Sequence, residues 1–260
     1  MPGIIFMRKY WGAEMTDFAR LMNDYFVKYL IGQKGSGNNT LKTYRDTFVQ
    51  LLEFMDEKKQ IQADRIEVDN FSYDIINEFL EYLEKEKGVS ISTRNNRLAA
   101  IRSFFKYTGY HEPKYLNISS SIREISKKKA ENRQMNYLSI NAMEHFLNSF
   151  DTTDYKELRC FCIVLLLYES GARVTELCNV HRYDLHLEKP FTLVLHGKGN
   201  KIRSVPLDGL VVDTISNYIQ KYEVHDDDFL FFNARRERLT REGVNYIVRK
   251  YFERARMDAV

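Results

Sequence analysis

Apolar residues recur at three- and four-residue intervals along most of the chain, and each such stripe predicts an amphipathic helix. The first covers residues 16–32 and gives way to a Gly/Asn/Ser loop from Gly32 to Asn39. From about Thr40, a second stripe puts Leu41, Tyr44, Phe48, Leu51, Leu52 and Met55 on one face and Lys42, Thr43, Asp46, Gln50 and Glu53 on the other. A third runs from Tyr73 to Lys87 with Ile75, Ile76, Phe79, Leu80 and Leu83 inward, and Gly88 stands where a C-cap is needed. Ser92 or Thr93 then caps a fourth helix that reaches about Tyr107. Four helices over residues 16–113 predict one small bundle.

After Pro113 the pattern lapses. Residues 114–135 read as a basic linker: Lys114 to Gln134 holds six basic residues against two acidic, with the run Lys127-Lys128-Lys129. A solvated linker fits this composition, and so does a linker lying along a phosphate backbone. A second domain is expected over residues 136–260. Ser139 caps a helix through Phe150, and the helix from Lys156 to Glu169 is nearly all apolar in its second half, which makes it central to a core. Gly171 is placed for a left-handed stop, and a short helix restarts near Arg173. Phe191–His196 and Ile202–Pro206 alternate as strands about a Gly-Lys-Gly-Asn turn, hence a hairpin. Asp213–Tyr222 reads as a helix, Phe229–Phe232 as a third short strand, and Arg241–Arg256 as a long helix. Residues 1–15 match no pattern and stand as an N-terminal extension.

Composition adds limits. With 260 residues, 44% hydrophobic and 29% charged, the chain can bury a sizeable core in one large or two modest domains. Aromatics at 13% sit at helical spacing, so they are expected in the core and not on a base-stacking platform. The net charge of +3 says little about partners; its local distribution says more. The longest apolar run, Cys160 to Tyr168, falls well short of the roughly 20 residues that cross a bilayer. No signal-peptide pattern opens the chain, so a cytoplasmic protein with no membrane partner is expected. Cys160, Cys162 and Cys178 form no ladder of spacings and no histidine pair joins them, so reduced, buried thiols are expected, with no metal or other cofactor.

Two motifs concentrate the chemistry. One is Tyr168-Glu169-Ser170-Gly171-Ala172-Arg173-Val174-Thr175-Glu176-Leu177. The other is His196-Gly197-Lys198-Gly199-Asn200-Lys201-Ile202-Arg203-Ser204-Val205-Pro206-Leu207. An arginine after Gly-Ala is by itself an ordinary capping or surface residue, and Gly-Lys-Gly-Asn a common turn. Together and in this order, they resemble the first two catalytic stations of the tyrosine recombinases, the phage-integrase and chromosome-dimer-resolving family. The resemblance implies strand cleavage without metal or nucleotide, through a 3′-phosphotyrosine. Arg173 would donate its planar fork to non-bridging oxygens of the scissile phosphate, and Lys198 would protonate the leaving 5′ oxygen. Glu176, one turn after the arginine, would have an accessory role, orienting Arg173 or a neighbouring loop, and Lys201 and Arg203 would meet DNA from the hairpin.

The N-terminal bundle likewise resembles the family's core-binding (SAM-like) domain, which clamps a face of the duplex. Ser92 to Lys106 contains four basic residues and no acidic one. The expected DNA contacts are Thr40, Lys42, Thr43, Arg94, Asn95, Asn96, Arg97, Arg102, Lys106, Lys127, Lys128 and Lys129. The departure from the family lies further on. No His-x-x-Arg follows Lys198, since His225 precedes Asp226-Asp227-Asp228, and the helix containing Tyr246 and Tyr251 resembles the one before that box. Both tyrosines are therefore read as packing or phosphate-contacting residues. The expected architecture is mainly α: a four-helix core-binding bundle, then a mixed α/β catalytic domain with a small antiparallel sheet, C-terminally incomplete. The expected function is a site-specific recombinase or integrase acting on double-stranded DNA as a homo-oligomer, these 260 residues binding but not cleaving. The alternative is a non-catalytic DNA-binding or competitor protein derived from a recombinase.

Overall fold

The computed structural model of the chain describes residues 15–130, 137–197, 199 and 201–258. The chain divides into two compact units, with the division between Gln134 and Met135.

In the N-terminal unit, helix α1 (Asp17–Asp24) starts where Thr16 Oγ1 accepts the Ala19 N–H at 3.2 Å. It widens into a π-helical stretch, Tyr25–Gln33. Helices α2 (Asn38–Lys59), α3 (Tyr73–Lys85) and α4 (Ile91–His111) follow. Helix α4 begins before the position expected because Ser90, and neither Ser92 nor Thr93, caps it: Ser90 Oγ accepts the Thr93 N–H at 3.2 Å. Phe104 of α4 sits at the centre of the core, its ring edge-to-face with Phe18, Tyr25, Phe48 and Phe105 at centroid distances of 5.2–5.4 Å. Most aromatic residues of this unit are therefore core, as their spacing predicts, with Tyr73 and Tyr110 exposed.

The stretch after Pro113 departs from the expected linker. A 3₁₀ turn at residues 113–115 leads into helix α5 (Leu116–Glu124), which packs against α4 and buries Tyr115, Ile122 and Ile125. The polar run Ser119-Ser120-Ser121 masks a short apolar stripe of Tyr115, Ile118, Ile122 and Ile125, and that stripe is what holds the segment on the bundle.

The C-terminal unit contains helices α6 (Ile140–Asn148), α7 (Tyr155–Ser170) and α8 (Val174–Leu177). Three strands follow, β1 (Leu185–His186), β2 (Thr192–His196) and β3 (Ile202–Pro206), then helices α9 (Gly209–Tyr222) and α10 (Arg241–Asp258). The sheet is antiparallel in the order β1-β2-β3, with Leu193 opposite both Leu185 and Val205. The outer strand beside β2 is thus β1. Phe229 and Phe232 make only isolated bridges, with His181 and Arg238, while Leu230 and Phe231 between them are buried. Helix α9 starts ahead of Asp213 because the Asp208 carboxylate accepts the Leu210 N–H at 2.8 Å. Helix α7 is central, as its apolar second half demands, with Cys162, Ile163 and Leu166 fully enclosed. Against this core lie Leu193 and Leu195 of the sheet, Ile215 and Tyr218 of α9, and the α10 stripe Val244, Ile247, Tyr251 and Ala255. The fold is mainly helical with one small antiparallel sheet.

Candidate functional site

The site in the C-terminal unit begins where α7 ends. Gly171 takes φ +58°, a left-handed stop that costs an L side chain strain but glycine none. Two residues later, Arg173 occupies the N-cap of α8 in extended conformation, φ −67°, ψ 145°. An arginine cannot accept the orphan N–H groups of the first turn. Instead Glu176, at the third helical position, reaches back and its Oε2 accepts the Arg173 N–H at 2.9 Å. Its Oε1 accepts from one Arg173 Nη at 2.7 Å. The Arg173 side chain stays 68% exposed, held at one corner with the remainder of its fork facing solvent.

Glu176 is itself buried, with 4% of its surface accessible. Strand β3 satisfies it from the other side: Arg203 donates one Nη to Oε1 at 3.1 Å and the other to Oε2 at 2.8 Å, a bidentate pair. Arg203, first, and then the Arg173 donors outweigh the cost of burial and hold the Glu176 carboxyl down to about 2, far below the usual carboxylate range. Gly197, at the end of β2, completes the enclosure. A Cβ there would stand 3.0 Å from Glu176 Oε1 and 3.3 Å from the Lys201 carbonyl oxygen. The Gly197 N–H donates to that same Lys201 carbonyl at 2.7 Å, closing the base of the hairpin. Lys198 lies outside the described residues. Lys201 is exposed beside the turn. Arg203, expected as a DNA contact, gives one N–H of each terminal nitrogen to Glu176 while its side chain stays 39% exposed.

Beside the hairpin, buried Asp184 accepts the His181 N–H at 2.9 Å and lies 3.2 Å from Nε2 of His196, the residue before Gly197. Sequence reasoning passed over this pair. Tyr251 is buried and stacks on Phe150 at 4.5 Å, and burial pushes its phenol well above the ordinary range. Tyr246 is exposed on α10. Cys160, Cys162 and Cys178 are buried free thiols, and burial pushes Cys162 up to about 12. Among the described residues there is no cluster of metal-ligating side chains and no helix long and apolar enough to cross a membrane.

In the N-terminal unit, the expected DNA contacts divide into two groups. Arg94 is buried, with Nη1 donating to the Ser126 carbonyl at 3.0 Å and Nε 3.3 Å from Glu84. Asn95 donates to and accepts from the backbone of Lys128, whose own ammonium sits 2.9 Å from Glu84. Arg97 crosses to α2 and donates to the Thr43 carbonyl at 2.9 Å and to Thr47 Oγ1 at 3.2 Å. Arg102 donates to the carbonyls of Arg123 and Ile125, capping the C-terminal end of α5. Much of the cationic hydrogen-bonding capacity of α4 therefore holds the unit together. Thr43 is exposed, its hydroxyl donating to the Asn39 carbonyl one turn back at 2.9 Å, and Thr40 is half-buried. Lys42, Asn96, Lys106, Lys127 and Lys129 remain at the surface.

A groove of about 450 Å³ runs along α4, lined by Lys34, Arg102, Lys106, Arg123 and Lys127 with Tyr29, Ala99 and Ser103, and none of these residues is acidic. Lys34 and Arg123 were missed from the sequence because they come from segments read as a loop and a linker. The π-helical stretch and α5 bring them to the α4 face. Five cations lining one concave surface concentrate positive potential there and suit a phosphodiester backbone.

Comparison with known proteins agrees with this geometry. Residues 136–259 match the phage integrase family, and residues 24–109 match the phage integrase N-terminal SAM-like domain. The chain is 27% identical over 249 residues to tyrosine recombinase XerC of Caldanaerobacter subterraneus, covering 90% of this chain and 69% of that protein. It is 29% identical over 226 residues to tyrosine recombinase XerD of Listeria innocua, covering 85% and 73%. Among solved structures, the XerH site-specific recombinase in a post-cleavage complex with palindromic difH substrate superposes with a TM-score of 0.67. That match is at 18% identity and covers 98% of this chain and 77% of that one. With both halves matched in family order, and Arg173 and Glu176 joined at one site, the chain belongs to the tyrosine recombinases, the phage-integrase family of site-specific DNA recombinases.

Proposed function

We propose that these 260 residues bind duplex DNA and hold the front stations of a strand-exchange site. The observation that carries this reading is Arg173, anchored at one Nη and otherwise exposed. A guanidinium fixed in this way can offer its free donors to the non-bridging oxygens of a scissile phosphate without first losing side-chain freedom. Lys198, from the turn between β2 and β3, protonates the leaving 5′ oxygen, and Lys201 contacts the adjacent backbone. The basic groove of the N-terminal unit takes phosphates elsewhere on the duplex, and the complex forms as a homo-oligomer on DNA in the cytoplasm. The DNA-bound state of XerH, a recombinase of the same fold, supports this reading.

The nucleophile is not assigned to either tyrosine of α10. Tyr251 is buried under Phe150 with a raised pKa, and Tyr246 precedes no His-x-x-Arg. Residues 1–260 are accordingly expected to bind without cutting. A nicked suicide duplex that traps 3′-phosphotyrosine tests this on a denaturing gel. Binding with no adduct is the expected result, and an adduct mapping to Tyr246 or Tyr251 refutes it. Failure of folded protein to bind any duplex at low salt refutes the whole reading.

A further inference from the structure

We propose that Arg203 is a positioning residue for Arg173, acting through Glu176. The inference deepens the reading of Arg173 as a phosphate ligand and rests on it. Glu176 has two oxygens and receives four donors: both Nη of Arg203, one Nη of Arg173, and the Arg173 N–H. The Arg173 contacts are local, three residues apart within one turn. The Arg203 contacts span 27 residues and join α8 to β3. Arg203 thereby decides how the carboxylate plane stands, and that plane decides where the Arg173 fork points.

Charge leads to the same assignment. A carboxylate buried this deeply ionises only with strong local compensation, and Arg173 makes a single side-chain bond to it while lying largely in solvent. Arg203 supplies the bidentate partner, which a lysine cannot do from a single point charge. Without Arg203, Glu176 is free to rotate or take a proton, and its hold on Arg173 loosens. The Gly197 backbone closes on Oε1 from another side, where an added Cβ would stand 3.0 Å away.

The test is a double-mutant cycle read by fluorescence anisotropy on a mixed-sequence duplex. Arg173→Gln is expected to weaken binding about tenfold, the cost of one charge-assisted contact. Arg203→Gln is expected to cost no more than that, and the double variant to bind no more weakly than Arg173→Gln alone. Losses that multiply would make Arg203 a DNA contact in its own right and overturn the proposal, as would an Arg203→Gln protein that binds like the wild type. Because Arg203→Gln leaves a buried acid underpaired, Arg203→Lys serves as a second variant, with an intermediate loss expected.

A second arm needs no DNA. The Glu176 side-chain carboxyl carbon is followed by NMR against pH, together with the Arg173 Nε–Hε resonance. In either Arg203 variant the Glu176 midpoint should move up, and lowering the pH should release Arg173 into the exchange-averaged pool while the wild type keeps it ordered. An unchanged midpoint and resonance would overturn the proposal. Lack of duplex binding by every variant would instead refute the functional reading, leaving this arm to decide on Arg203.

Discussion

Acid should loosen the C-terminal unit through Glu176. Its carboxyl is held at about 2 against an ordinary 4.5, so the folded state binds the proton less readily than the unfolded chain. The stabilisation is fully present above about 4.5 and is lost as pH falls from there toward 2. A drop of this size corresponds to roughly 3 kcal/mol, nearer 2 once solvent screening of the half-exposed Arg203 is allowed for. Glu157, lowered chiefly by Arg254, and Asp151, lowered chiefly by Thr153, act in the same direction in this unit. In the N-terminal unit the lowered carboxyl is that of Glu81, in an exposed pair with Lys85 that contributes little. Urea unfolding at pH 7, 5, 4 and 3, followed by methyl NMR, reads the two units separately: Ile163 and Ile215 for one, Ile76 and Ile101 for the other. Between pH 7 and 3 the wild-type C-terminal unit should lose about 1.5 kcal/mol more than the same unit in Glu176→Gln, which has no carboxyl to protonate. Equal losses in the two proteins would refute the account of Glu176 as a buried, ionised hub.

Gly197→Ala should cost about 1–3 kcal/mol in the C-terminal unit, because the new Cβ meets Glu176 Oε1 at 3.0 Å; thermal unfolding with no shift would contradict this. Arg94→Ala should destabilise the N-terminal unit by about 3 kcal/mol, leaving the Ser126 carbonyl and Glu84 short of a buried partner, as urea titration would show. Lys106→Ala should leave stability within about 0.5 kcal/mol of wild type and lower the salt dependence of duplex binding by about one ion.

The extent to which this was legible in the sequence follows the range of each interaction. Helices α2, α3 and α7 carry their own periodicity, and the β2–β3 hairpin carries its own alternation and turn. The Arg173 and Glu176 stations lie within a single turn, so a short motif contains them both. Arg94 was misplaced because its burial is decided by Glu84 on a different helix and by the carbonyl of Ser126, 32 residues away. The bond from Arg203 to Glu176 was not legible for the same reason: the partner lies 27 residues away, and a basic residue on a hairpin looks alike whether or not it meets a buried acid. Helix α5 was hidden by three serines that dilute its apolar stripe, and the basic groove draws on three separated segments that no local pattern joins.

The most direct test of duplex recognition is the salt dependence of binding by the intact chain. Anisotropy titrations on a mixed-sequence duplex, from low to moderate salt, should give a log–log slope of about −6. That is what release of counterions from roughly seven phosphates produces: five at the groove cations Lys34, Arg102, Lys106, Arg123 and Lys127, one at the scissile position and one beside Lys201. Replacing Lys34, Lys106 and Lys127 together with alanine should bring the slope to about −3.5 while the fold persists. A flat salt dependence, an unchanged slope in the triple variant, or no binding by folded protein at low salt would contradict the account.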